Sequence, residues 1–214
     1  MRIASIEKGR RGGRFEIVMD DGVSVSVSRE ILIDFALRRG DEISGEKMAE
    51  IHDAQMYHDA YSAAVRLVAY RMRTASELEQ RLLKKNFPPA IGARVVERFA
   101  YLGLVDDSKF ADAFITSKIA SKPIGKRELE RRLREKGIDK ELARRSVAEV
   151  STEENQMELA LRAGESKLRS LRDSDVNRLR EKLVAFLMRR GFEWEIVRKV
   201  VRKLINGDPD AMDS

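Results

Sequence analysis

The chain has no cysteine, which excludes disulfide scaffolds, thiolate metal sites and cysteine nucleophiles. It has only two histidines, His52 and His58. Six positions apart, they do not share a helical face, so a histidine-built metal or catalytic centre is not expected. Aromatics are scarce, at 6%. No apolar run approaches the ~18 residues of a membrane span. The opening MRIASIEKGRR lacks the apolar stretch of a signal peptide. These absences together predict a cytoplasmic, non-enzymatic protein with no cofactor, no metal and no membrane.

Charge is what the chain has in abundance. Asp, Glu, Lys and Arg make up 36% of the 214 residues, with 42 basic against 36 acidic, a net +6. Yet 43% of residues are hydrophobic, too many for a disordered chain. The charge is unevenly spread. Residues 1–53 hold 9 basic and 11 acidic residues, whereas 54–214 hold 33 and 25. The positive excess therefore belongs to the second part.

The first part reads as strands. Ile3, Phe15, Ile17, Val23, Val25 and Val27 alternate with polar neighbours. Asp21-Gly22 between alternating segments is a hairpin signal. A short helix over 29–38 is expected next. The glycine cluster over 8–14 joins two strands and matches no phosphate-loop pattern, so it reads as a flexible basic tip.

The second part is a repeat. ELEQRLLKKNF (77–87), ELERRLREKGI (128–138) and KLVAFLMRRGF (182–192) align without gaps at offsets of 51 and 54 residues. Leu78, Leu129 and Leu183 correspond, as do Leu82, Leu133 and Leu187 one turn later. Phe87, Ile138 and Phe192 follow, then Ile91, Leu142 and Ile196, then Val96, Val147 and Val201. Asn86, Gly137 and Gly191 stand where a left-handed residue ends a helix. Lys85, Lys136 and Arg190 precede them and complement the helix dipole. Thr74 with Glu77, and Ser151 with Glu154, read as capping boxes. Asp106-Asp107 reads as a helix cap, with Asp107 the capping residue. Trp194, at the turn into the third helix, is expected in the core, with an exposed anchor for a partner as the alternative.

The expected fold is mainly α: tandem three-helix repeats preceded by a small β-rich domain. The divisions fall at 1–53 for the β segment, 54–105, 106–150 and 151–205 for the repeats, and 206–214 for a flexible tail.

Two basic regions stand out. Residues 118–145 hold 11 basic and 5 acidic residues, and 162–203 hold 13 and 6. Arg127, Arg131 and Arg134 follow i, i+4, i+7 and form one stripe, with Arg132 on its flank and Lys122 and Lys126 leading in. Arg189 and Arg190 mark the third repeat. Two readings stand. Glu128–Arg132, Glu130–Arg134 and Arg131–Glu135 are i, i+4 pairs that would make a solvated, salt-bridged face. The charge excess would instead attract a polyanion, either nucleic-acid phosphate or an acidic protein surface. Neither face interleaves aromatics as a base-stacking platform does.

LVAYRMRTASELEQRLLKKNF, FAYLGLVDDSKFADAFI and KPIGKRELERRLREKGID together resemble the bacterial RecX regulatory family. The likeness is strongest over 58–150 and extends through the third repeat. Its most specific elements lie at Arg71 to Leu78, Gly103 to Ala111 and Gly125 to Ile138. Asn86-Phe87 departs from the commoner Gly-hydrophobic pair. The resemblance implies a modulator of the RecA recombinase that binds the RecA filament on single-stranded DNA. It further implies inhibition of RecA's ATPase, strand-exchange and coprotease activities, by three-helix repeats in a curved, extended array. On that reading Lys122, Lys126, Arg127, Arg131, Arg132, Arg134, Arg189 and Arg190 contact RecA or DNA phosphate, and the protein is a monomer. The competing class is a direct nucleic-acid binder acting through the same basic surface, with weak DNA binding possible in either case.

Overall fold

The computed structural model describes residues 1–9, 13–171 and 175–206. The centre of the glycine-rich tip and the expected tail beyond 206 lie outside the described residues. Two compact units divide the chain. One is Met1–Arg71 with Leu78–Leu104; the other is Met72–Glu77 with the chain from Val105 on.

The first unit opens with strands β1 (Ile3–Lys8), β2 (Arg14–Met19) and β3 (Ser24–Ser28). They form an antiparallel sheet in the order β1-β2-β3. Period-2 alternation puts Ile3, Ile17, Met19 and Val27 on one face, each 3% exposed or less. Helix α1 (Arg29–Asp34) follows, capped by the Ser28 hydroxyl, and adds Ile31 to that core.

Helix α2 (Gly45–Tyr70) runs unbroken through residues 53 and 54 and serves two cores. Its early turns deliver Ile51 to the sheet. There the Gln55 carbonyl oxygen accepts from the Ser28 N–H at 2.6 Å, and Asp59 pairs with Arg14 at 2.5 Å. Its later turns bury Ala60, Ala63 and Ala64. Tyr61 meets Phe99 edge-on at 5.0 Å between ring centroids. α3 (Ala75–Leu83) and α4 (Pro89–Tyr101) complete the first repeat. Leu78, Leu82, Val95 and Phe99 are fully buried, while Val96, the residue expected inside, is half-buried.

The second unit holds the other two repeats. These are α5 (Asp107–Ser121), α6 (Lys126–Glu135) and α7 (Lys140–Val150), then α8 (Glu153–Arg169), α9 (Val176–Arg189) and α10 (Trp194–Asn206). Leu129, Leu133 and Val147 centre one core; Leu183, Leu187, Phe192 and Val200 centre the other. All seven are 0% exposed. Ile119 packs against both cores and joins them. Burying each such leucine supplies roughly 2 kcal/mol.

Three local expectations need correction. Asp106, not Asp107, caps α5, accepting from the Ser108 and Lys109 N–H groups at 3.0 Å. Asp107 instead accepts from the Ala75 N–H at 2.8 Å, capping the start of α3 from 32 residues away. The cap of α8 is Thr152, accepting from the Asn155 N–H, so the expected Ser151–Glu154 box lies one residue off. Trp194 is not core: it opens α10 and is 51% exposed. At about 100° per residue Trp194 stands at the edge of the face that buries Val197, Val200 and Val201, not at its centre. Thr74 is the cap of α3, with its hydroxyl accepting from the Glu77 N–H at 3.0 Å.

Candidate partner-binding surface

The second and third repeats meet through backbone. The Gly125 N–H donates to the Arg190 carbonyl at 2.8 Å, and the Arg127 N–H donates to the Gly191 carbonyl at 3.1 Å. The last carbonyls of one helix thus satisfy the first amides of another, and their opposed dipole ends attract. A Cβ on Gly125 would stand well inside 3.0 Å of Gly191 and Phe192 backbone atoms. Gly191 has φ +83, and a Cβ there would strike the Glu128 backbone.

The same joint recurs one repeat earlier. The Thr74 hydroxyl donates to the Lys136 carbonyl at 2.7 Å, and a Cβ on Gly137 would collide with Ser76. Lys136 also reaches Glu77 at 2.9 Å. These positions are equivalent across the repeats, Thr74 with Gly125 and Lys136 with Arg190. Asn86, the third member of the glycine set, has φ 65 but is exposed. Asparagine tolerates the left-handed region.

The joint brings Lys122 and Lys126 close to Arg189 and Arg190; Arg131, Arg132 and Arg134 lie further along α6. Lys122 is the exposed C-cap of α5, and Lys126 is half-buried at the start of α6, where its N–H donates to Gln156 at 3.0 Å. Arg190 lies against the Phe186 ring at 5.0 Å and donates to the Pro123 carbonyl at 3.1 Å. Arg189, beside it, is exposed. Residues some 60 positions apart are therefore brought to one place.

The stripe on α6 is not uniform. Arg131 grips Glu128 with two bonds of 2.7 Å and also pairs with Glu135. Arg132 holds the same Glu128 at 2.6 Å. The expected Glu130–Arg134 pair does not form. Arg127 and Arg134 are exposed and make no ion pair among the described residues. The salt-bridged reading of the face holds for Arg131 and Arg132, while Arg127 and Arg134 face solvent.

Glu128 is the electrostatic centre of this face, with a side chain 12% exposed. The hydrogen bond from Arg131, then that from Arg132, outweighs burial and holds its carboxyl down from 4.5 to about 2. A depressed acid stabilises the fold above its unfolded value and loses that contribution as pH falls toward the folded value. The stability gap between wild type and Glu128→Gln, read from urea midpoints, is expected to narrow by about 1–2 kcal/mol from pH 6 to pH 3, allowing for screening at its exposed arginine partners. A gap that stays constant would show that Glu128 is not held ionised.

Among the described residues no group of three or more His, Asp or Glu is placed to hold a metal ion. No described helix is long and apolar enough to cross a membrane.

Models of the first, second and third three-helix domains of RecX match residues 60–99, 106–146 and 153–201. The chain is 26% identical over 207 residues to a protein of Clostridioides difficile (strain 630) named Regulatory protein RecX, covering 96% of this chain and 97% of that one. It is 28% identical over 184 residues to the protein of that name from Bacillus subtilis (strain 168), covering 86% and 69%. A crystal structure of regulatory protein RecX matches with a TM-score of 0.76 at 26% identity, covering 93% of this chain and 98% of that one. RecX from Lactobacillus salivarius shares the fold, with a TM-score of 0.64 at 22% identity over 71% of this chain and 97% of that one. Three matched domains in the order of the three repeats, with likeness along nearly the whole chain, place it: the chain belongs to the RecX family of regulatory proteins.

Proposed function

We propose that this protein binds the RecA recombinase, as its filament on single-stranded DNA, and inhibits RecA's ATPase, strand-exchange and coprotease activities. It acts as a cytoplasmic monomer and performs no chemistry of its own. The partner follows from membership of the RecX family. The observation that carries the mechanism is that Arg127 and Arg134 on α6 are exposed without an ion pair among the described residues, with Lys122 and Arg189 exposed beside the backbone joint of α6 and α9. A set of cations held on a fixed scaffold binds an anionic surface with little ordering cost. Arg131, Arg132 and Arg190 hold that scaffold: each is engaged within the chain. Lying along the filament, the protein blocks its extension or the entry of duplex.

The test is a titration of RecA ATPase on single-stranded DNA. Inhibition is expected at well under one protein per RecA, because one bound blocker silences a stretch of filament. An ATPase rate unchanged at a one-to-one ratio would overturn the reading. The competing class, a nucleic-acid binder acting without RecA, predicts that useful affinity for naked DNA accounts for all of its effect, with a steep salt dependence.

A further inference from the structure

Trp194 is the only tryptophan in the chain, and half of it faces solvent. An exposed tryptophan is a costly residue to leave in water, and its surroundings here are distinctive. Trp194, Arg198 and Arg202 follow i, i+4, i+8 along α10, about 6 Å apart per step. They line an open groove of about 550 Å³ with Lys199 and with Arg180 and Val184 from α9. Arg198 pairs with Glu195 at 2.8 Å, and Lys199 pairs with Glu153. Arg202 has no ion-pair partner among the described residues. Helices α9 and α10 together carry eight basic and two acidic residues. The groove is thus an indole face at the head of a cationic rail.

We infer that this groove is a binding site for single-stranded nucleic acid, with Trp194 stacking on a base and Arg198 and Arg202 following the phosphates. Charge selects a polyanion, and the exposed indole selects one that carries free aromatic faces. A duplex offers none, because its bases are stacked on one another. An acidic protein surface satisfies the arginines but leaves the indole uncovered. Every base has a π-face, so the site tolerates any sequence. Its place is the third repeat, lined by α9 and α10 alone, and it does not depend on the RecA reading.

The lone tryptophan is its own reporter. Titration of the full-length protein with a 20-nucleotide oligo(dT), in the absence of RecA, is expected to quench its fluorescence saturably. Oligo(dA) is expected to bind within a few-fold of oligo(dT), and a blunt 20-base-pair duplex at least about 10-fold more weakly. Trp194→Ala, followed by anisotropy of a labelled oligo(dT), is expected to lose about 5–100-fold in affinity, the range of one stacked base. Trp194→Phe retains most of the binding. Arg202→Ala flattens the log–log salt slope by about 0.7, one phosphate, and Arg198→Ala, whose guanidinium is shared with Glu195, flattens it by less. Equal quenching by polyglutamate or heparin would overturn the site in favour of a generic polyanion surface. Affinity unchanged in Trp194→Ala, or equal for the duplex, would overturn it as well. Because no RecA is present, these outcomes leave the RecA titration to succeed or fail separately.

Discussion

Gly125→Ala and Gly191→Ala should each destabilise the second unit by about 3 kcal/mol or more, the upper range for forcing atoms into a packed site. The added methyl is small, but it has nowhere to go. At Gly125 it meets the backbone of Gly191 and Phe192, and at Gly191 it meets the backbone of Glu128. Backbone cannot rotate aside as a flexible side chain can. Relief requires the two helix ends to part, and parting breaks the bonds from the Gly125 and Arg127 N–H groups. Four polar groups then lose their partners, and partial burial makes that loss expensive. Gly191→Ala carries the further cost of a side chain at φ +83.

Gly103→Ala is the matched control. Gly103 also has a positive φ, +67, but a Cβ there meets nothing within 4 Å. It should cost about 1 kcal/mol, from strain alone. Each cost is read from the urea midpoint of the unit that holds the glycine, and the difference between the two costs is that of the collision. Hydrogen exchange should show the Gly125 and Arg127 amides losing protection first. If Gly191→Ala and Gly103→Ala cost the same within about 0.5 kcal/mol, the joint does not hold the repeats as described.

How this joint relates to the sequence says much about what a sequence shows. Periodicity reports what one element does with its own faces. Leu129, Leu133, Leu183 and Leu187 were legible as core because burial repeats with the turn of the helix, and all four are 0% exposed. Ile3, Ile17 and Val27 were legible in the same way through the period of a strand. Gly137 and Gly191 were legible as caps, since a left-handed residue ends each helix. Their second duty, to let another helix start approach, leaves no periodic trace. It involves residues more than 60 positions away, and a glycine looks the same in either role. A hint did exist: the exposed cap of the first repeat carries Asn86, while the two crowded caps carry glycine.

Trp194 follows the exposed alternative, not the core one, for a different reason. Its hydrophobicity suggested the core, but alignment of the repeats sets it opposite Pro89 and Lys140, which open α4 and α7. Position in the repeat was the better guide than side-chain character. Asp107 was misread because a cap can be supplied from outside its own helix, as its bond to Ala75 shows. The basic stripe was legible in its spacing but not in its chemistry. Which arginines are spent on Glu128 depends on rotamers, and sequence offsets allowed several pairings.

That division of the stripe sets the second large prediction. Arg127→Glu with Arg134→Glu changes the charge of α6 by four units, yet removes no ion pair found among the described residues. The dipole effects nearly cancel, since a carboxylate is favoured in the first turn at 127 and disfavoured in the last turn at 134, each by about 0.5 kcal/mol. Stability should therefore stay within about 0.5 kcal/mol of wild type. Inhibition of RecA ATPase should weaken by at least about 10-fold, because like charge set against an anionic partner repels as strongly as the native cations attract. Arg131→Gln is the complementary variant. It breaks the bonds to Glu128 and Glu135, which should cost about 1 kcal/mol of stability. It should leave inhibition within about twofold, since the guanidinium lost was already neutralised inside the protein. The proposed surface predicts this crossing of effects, with one variant stable and inactive and the other weakened and active. Should the double reversal inhibit as wild type while Arg131→Gln abolishes inhibition, the unpaired arginines are not the contact, and the Arg131–Glu128 cluster takes their place.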